Sequence, residues 1–270
     1  MKIVLLCGNQ PNHLALAHKV AAKYELIGII LEEKKSAGIS VFNLIPRVID
    51  KLFFGQINEA WNKLMNYYKT NYSGFPKTEI FKTSSINSNR VIEIVEHLKP
   101  DLIIVSGTSL IRKPLIEIKI HKGIVNLHTG ISPYVKGGPN CTNWCLANNE
   151  FHLIGNTIMW LDAGIDSGNL IATETTSFTG NENLFEIHLK VMEHAHQLYL
   201  KVIDQLKNDS KKCPSVKQND ITKGNLYLSK MWNFLKKKAL VENISTNRFQ
   251  KVIQSAEYSE KKNNLKLVKL

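Results

Sequence analysis

The residues best suited to chemistry gather in two short stretches. The first reads Val125-Asn126-Leu127-His128, then Ser132-Pro133-Tyr134 and Lys136-Gly137-Gly138-Pro139. On a strand, Val125 and Leu127 face one way while Asn126 and His128 face the other. A hydrogen-bonding amide and an imidazole, with a reference pKa of ~6.5, thus emerge together at the strand's carboxyl end. The second stretch reads Leu161-Asp162-Ala163-Gly164-Ile165-Asp166-Ser167-Gly168, an apolar run entering a turn with acids between glycines. Asp166 is placed to project into a cleft. Alone, an Asn or Asp in a turn is usually a turn former, and a His at a strand end is usually scaffold. Together, bracketed by buried strands, the three favour a site able to hold and exchange protons.

Other chemistries find no support. Gly8 stands alone after the first apolar run, so the dinucleotide fingerprint is missing. There is no phosphate-binding P-loop and no His-Glu-x-x-His zinc helix. Cys141 and Cys145 are four apart, but two thiols alone do not make a zinc site and read as buried structural cysteines. His194 and His196 are two apart on a helix and point in different directions. No metal site is expected.

The elements that must position the polar residues follow from periodicity. Ile3 to Gly8 is a short apolar run ending in glycine and reads as a buried strand. Residues 12–23 keep an apolar face as a helix, and Leu26 to Leu31 is the next strand. Strand, helix and strand of these lengths form a βαβ unit, which implies a parallel sheet and a right-handed crossover. Residues 41–70 read as mostly helical, 72–76 as a loop and 88–98 as a helix stopped by Pro100. Asp101 to Val105, Gly123 to Leu127 and Ile154 to Leu161 are further strands. Residues 183–207 carry Leu184, Ile187, Val191, Leu198, Val202 and Leu206 at helical steps. The fold expected is Rossmann-like α/β, in which ligands bind beyond the carboxyl ends of the strands.

The segment from Asp101 to Ile171 resembles the core of the folate-dependent formyltransferases, and the likeness covers about residues 1–208. That family includes glycinamide ribonucleotide, methionyl-tRNA and sugar N-formyltransferases. Its hallmark is an Asn-x-His strand end, a Gly- and Pro-containing loop and an Asp-Ser/Thr-Gly turn some 35–40 residues later. Asn126, His128 and Asp166-Ser167-Gly168 match it, and Thr129-Gly130-Ile131-Ser132-Pro133 departs from it, because relatives commonly carry Leu-Pro or Phe-Pro there. The resemblance implies transfer of a formyl group from 10-formyltetrahydrofolate to a primary amine. It implies Asn126 as a donor to the formyl oxygen, Asp166 as the partner of His128, and His128 as either base or oxyanion partner. It places the pterin against Ser106 to Arg112, with Gly107, Leu110, Ile111 and Arg112, and with Asp162 and Gly164 on the same pocket.

The 270 residues can bury a substantial core. Hydrophobic residues at 43% and charged at 21% exclude a disordered or rod-like chain. The run from Ile3 to Leu6 is too short for a signal-peptide core, and no apolar run approaches the roughly 18–20 residues of a membrane span. Four cysteines suit a reducing, cytoplasmic setting. Net charge is +12, and residues 201–270 hold 16 basic and 6 acidic side chains. Two parts are expected, a catalytic domain over 1–208 and a basic C-terminal extension over 209–270. That extension is too short for the barrel of methionyl-tRNA formyltransferases and resembles that of the sugar N-formyltransferases, which help form dimers through it. A nucleotide-linked amino sugar is therefore the expected acceptor, with a homodimer and no nucleic-acid partner. The alternatives are methionyl-tRNA as acceptor, or a non-catalytic binding module on this scaffold. Leu226, Tyr227, Leu228, Trp232, Phe234 and Leu235 require a partner surface.

Overall fold

In the computed structural model, which describes residues 1–33, 44–138, 140–208 and 213–270, apolar runs lie where they can be covered on both faces. β1 (Lys2–Gly8), β2 (Glu25–Glu32) and β4 (Leu102–Ser106) are buried almost end to end. Such runs suit a parallel sheet with helices on each side. With β3 (Ile80–Thr83), β5 (Ile124–His128), β7 (Gly155–Trp160) and β8 (Leu170–Thr175) they make one seven-stranded sheet of order β3-β2-β1-β4-β5-β7-β8. The first five are parallel, β7 runs antiparallel to β5, and β8, antiparallel to β7, again points the way of the first five. The order reverses at β1, with β2 and β3 laid to one side of it and β4 and β5 to the other. That switch point opens a crevice at the carboxyl ends.

The helices cover both faces. α1 (Pro11–Ala21) starts on a proline, which suits a first turn. α2 (Leu44–Asn71) and α3 (Asn89–Leu98) follow, and α4 (Lys113–Ile116) is a single turn. The expected helix start at 41–43 lies outside the described residues. α6 (Leu184–Asn208) buries all six residues of its expected apolar stripe, and α5 (Cys141–Asn148) precedes it in the chain. Tyr199 on α6 reaches the sheet, where its hydroxyl accepts from Val105 N at 2.8 Å and donates to Val125 O at 2.7 Å. It thereby closes the seam between β4 and β5, the two strands that lead into the crevice.

The chain beyond α6 returns to the site side of the sheet. The expected boundary at 209 lies outside the described residues. Val216 exchanges backbone hydrogen bonds of 2.8 and 2.9 Å with Leu170. β9 (Asn225–Tyr227) pairs in parallel with β6 (Val135–Gly137), the loop strand just after β5. α7 (Phe234–Ser245), α8 (Arg248–Ile253) and α9 (Ala256–Asn263) then place Leu240, Phe249 and Tyr258 in one cluster with Cys145, Leu146 and Phe151. Asn243 caps this contact by donating to Leu146 O at 2.7 Å. The apolar set expected to be covered is only partly so. Tyr227 stacks on Trp144 and Trp232 meets it edge-on, while Phe234 and Leu235 stay 48% and 71% exposed.

Replacing Tyr199 by Phe removes both bonds across the β4–β5 seam and leaves buried backbone groups without that partner. The expected cost is about 1–3 kcal/mol, read as a lower denaturant midpoint at unchanged m.

Candidate active site

β5 delivers its two polar residues as the alternation requires. Asn126 and His128 line a cavity of about 430 Å³ together with Asp166. The turn carrying Asp166 leaves β7 beside Val125, yet folds back far enough to meet the strand end. Asp166 Oδ2 lies 3.3 Å from His128 Nδ1 and accepts from Gly137 N at 3.0 Å. His128 Nε2 lies 3.1 Å from Val135 O and 3.6 Å from Cys141 Sγ. The three residues expected to converge therefore do.

Both ring nitrogens of His128 face oxygen acceptors. A neutral imidazole has one N–H and can satisfy only one of them, whereas the imidazolium satisfies both. Burial opposes the charge, but the Asp166 carboxylate, the neighbouring Cys141 and the Val135 carbonyl outweigh it and push the pKa up to about 10. His128 is thus the charged form at neutral pH.

The opposite wall comes from the loop after β4. Gly107 takes φ +70, and a Cβ there would strike the His13 ring at 2.5 Å, so this close approach needs glycine. Leu110 and Ile111 line the cavity, as do Gly107, Asp162 and Gly164. Arg112 does not. It is exposed, and its backbone N–H donates to Asn87 Oδ1 at 2.7 Å at the start of α4, so among the residues expected around the pterin it is the one that lies outside the cavity lining. Ile111 is only 2% exposed and belongs to the core beside Val105, Val91 and Leu115, so a charge there would cost stability as well as binding. Asp162 serves its own turn too, since Oδ1 accepts from Gly164 N at 3.1 Å and Ser167 Oγ at 2.6 Å.

Three supports escaped the sequence reading. Glu32, buried at the end of β2, accepts from Ile86 N at 3.0 Å and Ser109 N at 2.6 Å. Asn87 donates to Leu110 O at 2.9 Å. Together they clamp the Ser109–Arg112 wall. Thr157 Oγ1 donates to Gly130 O at 2.6 Å and accepts from Ser132 N at 2.9 Å, which fixes the loop where the sequence departs from its relatives. An acid ending an apolar strand was a visible signal for Glu32, but its partners lie 54 and 77 residues away. Cys141 is buried as expected, yet it sits against His128, a neighbour that its spacing to Cys145 did not indicate.

A polar constellation in the crevice of a largely parallel sheet marks an α/β enzyme. The family can be named as well: the formyl transferase domain family matches residues 2–203, and the chain belongs to it. Methionyl-tRNA formyltransferase of Alkaliphilus oremlandii is 31% identical over 132 residues, which are 48% of this chain and 41% of that protein. The chain thus spans well under half the length of the curated relatives it matches. A sugar N-formyltransferase from a Shewanella species superposes with a TM-score of 0.53 at 15% identity, covering 89% of this chain and 86% of that one. The N-formyltransferase from Helicobacter canadensis, solved with folinic acid and dTDP-3-aminofucose, gives 0.53 at 12% identity over 89% and 80% of the two chains. Phosphoribosylglycinamide formyltransferase from Anaplasma phagocytophilum gives 0.56 at 12%, over 85% and 98%. At these identities the structural likenesses establish the shared fold.

The His128–Asp166 pair has a thermodynamic signature. A histidine pKa raised on folding contributes stability that is complete below the unfolded value of ~6.5 and fades as pH rises through about 10. Asp166→Asn should remove that contribution. Its stability deficit against the parent should be at its full size at about pH 6.5 and shrink as pH rises toward 10. The His128 ring, followed by NMR, should titrate near 10 in the parent and in or below the ordinary histidine range in the variant.

Proposed function

We propose that this protein transfers the formyl group of 10-formyltetrahydrofolate to a primary amine, and that Asn126, His128 and Asp166 carry the reaction. The observation that carries the reading is the buried His128–Asp166 pair sharing a cavity wall with Asn126. The donor when bound supplies an electrophilic formyl carbon. Its pterin suits the cavity, whose volume falls within the ordinary range of about 300–1,000 Å³ for small-molecule sites. Leu110, Ile111 and Leu161 offer apolar contact, and the loops at 107–110 and 161–164 offer backbone groups to a polar ring edge.

Asn126 donates from its amide to the oxygen on which negative charge develops. A preorganised donor of this kind is worth roughly 3–4 kcal/mol. His128, held as the imidazolium, places positive charge beside that oxygen. Of the two roles the sequence left open, base or oxyanion partner, we favour the oxyanion partner, because both ring nitrogens face oxygen acceptors. Asp166 keeps that charge in place through Oδ2, and its carboxylate takes the proton of the attacking amine; when the tetrahedral adduct collapses, the bond between the formyl carbon and N10 breaks and tetrahydrofolate leaves with that proton on N10.

The acceptor we favour is a nucleotide-linked amino sugar. Likeness over 89% of the chain to enzymes described as sugar N-formyltransferases supports this, as does an extension built of short helices and one short strand among the described residues. We place the division of the chain at about residue 209, just past the family match. We further propose a cytoplasmic homodimer, in which a second copy covers the apolar face of Leu52, Phe53, Phe234 and Leu235. A second reading, methionyl-tRNA as acceptor, is favoured by the 31% identity to methionyl-tRNA formyltransferase and by the basic extension. Among the described residues no helix is long and apolar enough to cross a membrane.

Two measurements test this reading. Leu110 is 49% exposed on the cavity wall, so Leu110→Glu should leave thermal stability near the parent's and weaken folinic acid binding roughly tenfold or more, about 1.4 kcal/mol. Unchanged affinity by calorimetry removes the pterin from this wall. The acceptor is tested by incubating the protein and 10-formyltetrahydrofolate with a panel of amino-sugar nucleotides, glycinamide ribonucleotide and methionyl-tRNA, then reading product mass. A formylated amino-sugar nucleotide is expected, with shallow salt dependence. Formylation of methionyl-tRNA alone, falling steeply with salt through counterion release, would select the second reading.

A further inference from the structure

The family match ends at residue 203, but the chain beyond it reaches the back of the site. Gln218 lies in a short turn after α6 and is only 6% exposed. Its side-chain amide donates to two carbonyls of the turn that carries Asp166: Asp166 O at 2.7 Å and Gly168 O at 2.8 Å. Gln218 is itself located by the paired backbone bonds between Val216 and Leu170. Asp166 has φ 47, in the left-handed region, which Asp enters more readily than most residues with a side chain but which its surroundings must still favour. Those surroundings are now identified. The carboxylate is held by Gly137 N–H, on the strand that β9 completes, and the carbonyl is held by Gln218. A residue that merely filled space would not direct its donor nitrogen at two carbonyls of this turn.

We propose that Gln218 is a positioning residue for the transfer reaction, pinning the backbone of Asp166 so that its carboxylate meets His128, and that residues 213–227 thereby belong to the catalytic apparatus. This rests on the reading of Asp166 and His128 given above. It differs from a role in acceptor binding or dimer contact, because Gln218 reaches the Asp166 backbone from within one chain. The groups that face the pair are Gly137 N–H and Gln218 on the Asp166 side, and Val135 O and Cys141 on the His128 side.

Gln218→Met keeps the length of the side chain and removes both donors. With the panel acceptor turned over fastest, kcat should fall roughly tenfold or more, since misplacing a reacting group by about 1 Å costs on the order of 100-fold. KM for 10-formyltetrahydrofolate should stay within about threefold. The His128 titration should move down from about 10 toward the ordinary range. A purely structural role would lower the melting temperature and leave that titration and kcat in place, and a folded variant with parental kcat and titration overturns the proposal. Should the methionine variant fail to fold, Gln218→Ala, which leaves room for water, is measured in the same way. If neither folds, Gln218 is a folding residue and the proposal is lost. Asp166→Asn run alongside separates the two readings. Parental kcat in that variant defeats the assignment of Asp166, whereas an inactive Asp166→Asn beside a fully active Gln218→Met defeats only the role of Gln218.

Discussion

One carboxylate oxygen ties the site together. Asp166 Oδ2 is shared between His128 Nδ1 at 3.3 Å and Gly137 N at 3.0 Å. The first partner ends β5 and the second ends β6, so one atom fixes the turn after β7 against two loops that could otherwise drift apart. Every other support serves this junction. Tyr199 closes the seam beneath β5, Thr157 sets the loop between His128 and β6, and β9 completes β6 from beyond the family match.

The same junction explains why one buried histidine is charged while others are not. His188 is buried, and desolvation by burial lowers its pKa to about 4. His196 is buried beside Lys19 and near His13, and all three influences push its pKa down. His128 suffers the same burial, yet the Asp166 carboxylate and an acceptor at each nitrogen reverse the outcome. The difference lies in the counter-charge and in two hydrogen bonds that only an imidazolium can make. In the proposed reaction, a site built this way would present a fixed positive charge to a developing oxyanion without reorganising.

Much of this was legible in the sequence because it is local. Apolar runs of parallel-strand length gave β1, β2, β4 and β5, the i, i+3, i+4 stripe gave α6, and two-residue alternation put Asn126 and His128 on one face. Strand β5 runs one residue later than expected, ending on His128 itself. What stayed hidden is non-local. β3 is a short edge strand of alternating partial exposure, and β8 mixes Ala and Thr with its apolar residues, so neither has a strong periodic signal. Arg112 was expected at the pterin because the resemblance set the whole 106–112 loop there, whereas the bond of its amide to Asn87 depends on a partner 25 residues away. Glu32 and Gln218 were missed for the same reason.

The site therefore has two kinds of support, and they fall on different parts of the chain. Glu32, Asn87, Thr157 and Tyr199 lie within the family match and hold the walls around Asn126 and His128. Gln218 and β9 lie beyond it and hold the turn and strand that place Asp166. An extension that supplied only a dimer contact could be exchanged without touching the reacting centre. Here it is hydrogen-bonded to the backbone of Asp166 and paired with the strand whose amide that carboxylate accepts. Changes in the extension are therefore transmitted to the pair it helps to align, and an acceptor-binding surface built on residues 213–227 would be rigidly connected to the chemistry it feeds.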